Sequence, residues 1–160
     1  MLHRPYASIA IAVAAMLVGG PALAAPGHYP QSAHLDAEPT AAETAVVREV
    51  LSKSFGSEWT DYERSEHKHI GFAVGHADLN GDGRPDLLVL VNDGGFGYCG
   101  SAGCAGYAIL ATATGFASTP VELATFYETV NVLPTAHLGM HDLRYDDATK
   151  IFRWNGHAYE

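Results

Sequence analysis

Apolar and polar positions change period several times along the chain, and each change predicts an element. Val46, Val47, Val50, Leu51 and Phe55 recur at helical spacing. Thr40 stands three residues before Glu43, a pairing in which a hydroxyl and a carboxylate each satisfy a free backbone N–H at a helix start. Glu49 and Lys53 lie one turn apart on the polar side, and Gly56 suits a helix end. The spacing predicts one amphipathic helix over 41–55. From residue 70 the period drops to two. Ile70, Phe72, Val74 and His76 alternate with Gly71, Ala73, Gly75 and Ala77, which predicts a strand with a bulky face and a small face. Residues 87–91 are apolar without interruption, as a strand covered on both faces requires. Further strands are predicted over 106–113, 121–126, 143–145 and 150–154. Residues 146–149 read as a turn, and Asn155-Gly156 as a hairpin turn before a last short strand.

No long helix separates successive strands, so parallel crossover units are not expected. The fold class that follows is α+β: one N-terminal amphipathic helix packed on a mainly antiparallel β-sheet. Ahead of it, residues 25–39 are rich in Pro, Ala and polar groups and read as a flexible leader. Residues 1–24 have a different layout. His3 and Arg4 precede an apolar run over 9–18, Gly19, Gly20 and Pro21 break it, and Ala22-Leu23-Ala24 offers a small-x-small cleavage site. This is the plan of a secretory signal peptide, and the run is too short for a membrane span. The expected organisation is therefore a signal peptide at 1–24, a leader at 25–39 and a single domain at 40–160, periplasmic or secreted, with no membrane span in the mature form.

The balance of 9 Lys and Arg against 18 Asp and Glu, a formal charge of −9, argues against nucleic acid as a partner, because a basic face is what binds phosphate. The only two cysteines, Cys99 and Cys104, enclose Gly100-Ser101-Ala102-Gly103. Export and small intervening residues favour a bridge between them. Phe96, Tyr98 and Tyr107 flank this segment and form a candidate binding loop for a protein or envelope component, with packing back onto the sheet as the competing reading.

Residues 78–86 carry the one motif with specific chemistry, D-x-N-x-D-G-x-x-D. Calcium takes six to eight hard oxygen ligands. Asp78, Asn80, Asp82 and Asp86 offer side-chain oxygens from one curled loop, and Arg84 offers its backbone carbonyl. Gly81 and Gly83 permit tight turns, and Leu79 is expected to point into the core. The twelfth position is Val89 rather than the Glu of an EF-hand. With strands expected on both sides, "DLNGDGRPDLLVLV" resembles the calcium loops of FG-GAP and VCBS repeats. That resemblance implies a calcium site and no propeller, since there is one copy. Read with "YCGSAGC" and the Trp154-Asn155-Gly156-His157-Ala158-Tyr159 ending, the chain resembles a group of small exported bacterial proteins; Ala102 departs from their pattern, and they imply no catalytic residue.

His67 and His69, and His137 and His141, form two pairs that could hold zinc or copper; solvated or singly hydrogen-bonded histidines are the preferred reading. Glu58, Asp61, Glu63 and Glu66 read as a wet surface. No G-x-S-x-G, H-E-x-x-H or P-loop is present. The expectation is a non-catalytic exported calcium-binding domain with an envelope-associated or partner-binding role. The alternatives are a secreted inhibitor or binding protein using the Cys99–Cys104 loop, and a metal-dependent hydrolase.

Overall fold

The computed structural model describes residues 27–160; the expected signal peptide lies outside them. The elements run β1 (Gln31–His34), α1 (Ala41–Phe55), α2 (Ser57–Glu66), β2 (Ala73–Ala77), β3 (Asp86–Val91), β4 (Cys99–Gly100), β5 (Gly103–Ile109), β6 (Ala111–Thr112), β7 (Gly115–Phe116), β8 (Val121–Phe126), β9 (Thr129–His137) and β10 (Met140–Tyr145). Strand pairing is antiparallel throughout. One sheet has the order β1-β9-β10. A second runs β2-β3-β5, with β4 and β8 both paired to β5. The α+β expectation holds at this level.

The molecule has three layers, and β3 shows why. Leu88 and Leu90 face a core shared with Val130, Val132 and Leu143 of the β1-β9-β10 sheet. Leu87, Val89 and Val91 face the opposite way, onto Val47, Val50, Leu51 and Trp59 of the helices. A strand covered on both faces reads as a continuous apolar run, and Leu87–Val91 do so; all six residues of β3 are buried, with Asp86 at its start the one polar member.

α1 forms as the sequence predicts. Thr40 Oγ1 accepts from the Glu43 N–H, and Glu43 Oε2 accepts from the Thr40 N–H. Gly56, at φ 60°, stops it and donates its N–H to Ser52. Three expectations need correction. A second helix, α2, follows Gly56 directly: Trp59 is buried beneath it, and Glu63 is held by Arg48 through two bonds of 2.7 and 2.6 Å, so this stretch is not simply a wet surface. The flexible leader is partly structured. β1 pairs with β9, Ala37 bridges to Val74, and Ala33 and Leu35 enter the core, so apolar burial offsets the ordering of the chain. Finally, β9 replaces what had no predicted element, whereas residues 150–154 make only the bridges Leu143–Phe152 and Trp154–Tyr159.

Candidate functional site

The 78–86 loop joins β2 to β3 and bonds to the 29–31 segment, to β6 and to β10. Positive φ angles at Gly81 (72°) and Gly83 (79°) curl it tightly. Leu79 is fully buried, as expected; its carbonyl accepts from the His141 N–H at 2.7 Å. Asp78 and Asp86 are buried polar residues, and Asp82, Asn80 and Arg84 are half-buried.

The carboxylates turn onto the loop's own N–H groups. Asp78 accepts from Gly81, Asp82 and Gly83, at 2.8, 3.2 and 2.9 Å. Asn80 Oδ1 accepts from the Asp82 N–H. Asp82 accepts from the Arg84 N–H and, at 2.8 Å, from its guanidinium. Asp86 lies deepest and accepts from the N–H groups of Leu79 (2.8 Å) and Ala111 (2.7 Å), tying β3 to the loop and to β6. Burial pushes its carboxyl up to about 6; the two N–H groups oppose this, and the negative charges of Asp78 and Asp82 add to it. The loop thus carries three carboxylates, of which Arg84 pairs with Asp82.

Among the described residues no group of three or more His, Cys, Asp or Glu side chains stands assembled around a metal position. The donor set nevertheless suits a hard cation. An ionised carboxylate has about four lone-pair sites, and the bonds above leave several unused.

Two residues that the sequence reading missed brace the loop. The Tyr29 hydroxyl donates to the Asp78 carbonyl at 2.9 Å, and Gln31 Oε1 accepts from the Asp78 N–H. Tyr29 also stacks on His141, ring centroids 3.7 Å apart. Their segment looked like leader, and no local period marks it.

The two histidine pairs do not assemble. His69 lies beside Glu63, His137 Nδ1 lies 2.6 Å from Asp142, and His141 Nδ1 bonds the Leu133 carbonyl. Cys99 and Cys104 are bridged; they close a short β4–β5 hairpin rather than a long open loop. Of the three aromatics of the candidate binding loop, two are covered, in keeping with the competing reading that they pack inward. Phe96 and Tyr107 are buried and, with the half-buried Tyr98, pack on Phe55 at centroid distances of 5.6, 5.5 and 4.9 Å. The exposed part of the hairpin is Gly100-Ser101-Ala102. No helix among the described residues is long and apolar enough to cross a membrane. No family model matches the chain, and no curated protein or solved structure is significantly similar to it.

Proposed function

We propose that the chain is an exported, non-catalytic domain whose 78–86 loop, of the FG-GAP/VCBS type, binds calcium and locks the strands around it. The observation that carries this reading is the wholly buried Asp86 carboxylate, which also feels the negative charges of Asp78 and Asp82 on the same loop. A dication relieves that repulsion, and the D-x-N-x-D-G-x-x-D spacing supplies oxygens for it. The loop bonds directly to β6, to β10 and to the 29–31 segment, so ordering it braces the whole edge. The bridged cysteines suit an oxidising compartment. Isothermal titration with calcium is the test. One site is expected, with a dissociation constant of about 10⁻⁴–10⁻³ M as in extracellular modules, and Asp82→Ala should abolish it while leaving the fold. Absence of heat across that range would reject the reading.

A second reading, a secreted binding or inhibitor protein, rests on the exposed, bridge-closed Gly100-Ser101-Ala102 tip. Recovery of the same partner from periplasmic extract by the native chain, but not by a variant with that tip rebuilt, would favour it.

A further inference from the structure

The outer face of the β1-β9-β10 sheet carries a polar hollow of about 460 Å³. Its floor is fixed in place. Ser32 Oγ donates to Asn131 Oδ1, and Asn131 Nδ2 donates to the carbonyls of Arg144 and Asp146. At one rim the Asp146 carboxylate accepts the N–H groups of Tyr127, Glu128 and Thr129 at 2.9–3.0 Å, pinning the β8–β9 turn.

Tyr127 is the unusual member. The residue is 62% exposed, yet it is held at both ends: its backbone N–H by Asp146, and its hydroxyl by donation to the Ser101 carbonyl on the bridged hairpin. A large ring fixed in water has already lost the freedom that binding would take from it. Arg144, Glu128, Asp147 and His34 also line the hollow; the side chains of Arg144, Glu128 and Asp147 enter none of these bonds, and His34 Nδ1 lies 3.2 Å from the Thr129 hydroxyl.

We propose that this hollow binds a neutral saccharide, with one pyranose ring on the face of Tyr127 and adjacent hydroxyls on Arg144 and on the Glu128 or Asp147 carboxylate. A pyranose has an apolar C–H face and a rim of hydroxyls, each both donor and acceptor. A rigid aromatic beside mixed donors and acceptors complements both features. An anionic ligand meets three lining carboxylates and a chain of net charge −9, so it is repelled. An apolar ligand would strip water from the polar lining without replacing its hydrogen bonds. The site uses no residue of the 78–86 loop, so it stands apart from the calcium reading.

The test is a titration of the ¹⁵N-labelled chain with maltotriose, cellotriose and triacetylchitotriose, each with calcium and with chelator. At least one should shift the amide signals of Tyr127, Thr129, Asn131 and Arg144 saturably. Tyr127→Ala should weaken that sugar about tenfold or more, whereas Tyr127→Phe, which keeps the ring but loses its hold on Ser101, should weaken it clearly less than Tyr127→Ala does. Arg144→Ala, which removes none of the bonds above, should also weaken it and serves where Tyr127→Ala disturbs the hairpin. No saturable shift at about 20 mM of any of the three, beyond the millimolar range of single-ring sites, would overturn the proposal. Wild-type affinity in Tyr127→Ala would overturn it as well. Sugar binding without a calcium response would leave this site standing and count only against the loop.

Discussion

A methyl group at Gly106 would stand 2.1 Å from Phe126 Cε1. The Phe126 ring is buried and stacked on Tyr145 at 5.0 Å. Gly106→Ala should therefore cost about 1–3 kcal/mol, as overpacking in a filled core does; a urea midpoint equal to wild type would contradict the packing described. Glu63 predicts a pH effect. Burial opposes its ionisation, but hydrogen bonds from Arg48 and the Ile70 N–H, with the Arg48 charge, outweigh it and lower its carboxyl from 4.5 to about 2. A folded-state value below the unfolded one stabilises fully above the unfolded value, and the gain is lost as pH falls through the folded value. Glu63→Gln should flatten the fall in stability between about pH 5 and 2, measured by denaturant titration at each pH. Asp93, also held at about 2, keeps its own share of that slope. An unchanged slope would mean that the Arg48 pair does not contribute. Single residues such as Thr40, Glu43 and Leu79 were legible because their signals are local. Glu63 was not, because its partner Arg48 lies on another helix.

At the scale of elements, legibility followed periodicity. α1 and β8 lie where the pattern puts them: α1 buries its apolar stripe, and β8 buries Leu123 and Phe126, three apart because its pairing with β5 is irregular. α2 has only Trp59 and Tyr62 as large apolar positions and starts at Gly56 without a side-chain cap, so nothing local announces it. It is a helix because Trp59 fills the space between α1 and Phe96, with ring centroids 5.8 Å from Phe55 and 5.9 Å from Phe96. Trp59→Ala should cost about 3–5 kcal/mol. Thr40→Ala, which removes only the cap of α1, should cost about 1 kcal/mol. Parallel denaturation curves check the order, and equal losses would contradict it. β9 was hidden by Pro134, which reads as a break in a strand. β1 pairs only as far as Val132, and the β10 register slips between His141 and Leu143, so the missing N–H falls where the ladder is already interrupted.

For the whole molecule, the sequence pattern revealed two-sided burial at β3 but not what covers each side. β1 joins the sheet of β9 and β10 through pairing between residues about a hundred positions apart, and such pairing leaves no short-range trace. The same holds for the brace from Tyr29 and Gln31 on the candidate loop. The loop itself was legible because its chemistry is written in consecutive residues. Its position makes it a joint: Asp86 ties to Ala111, Leu79 to His141, and Asp78 to Tyr29. A ligand bound there stabilises the folded chain in proportion to the logarithm of its concentration. The most direct measurement is the thermal midpoint of the chain from residue 25 onward, with calcium at about one hundred times its dissociation constant and again with chelator, where linkage gives roughly 2.7 kcal/mol. A clear rise in midpoint with calcium, absent in Asp82→Ala, is the predicted result. Identical midpoints in calcium and chelator would contradict the account.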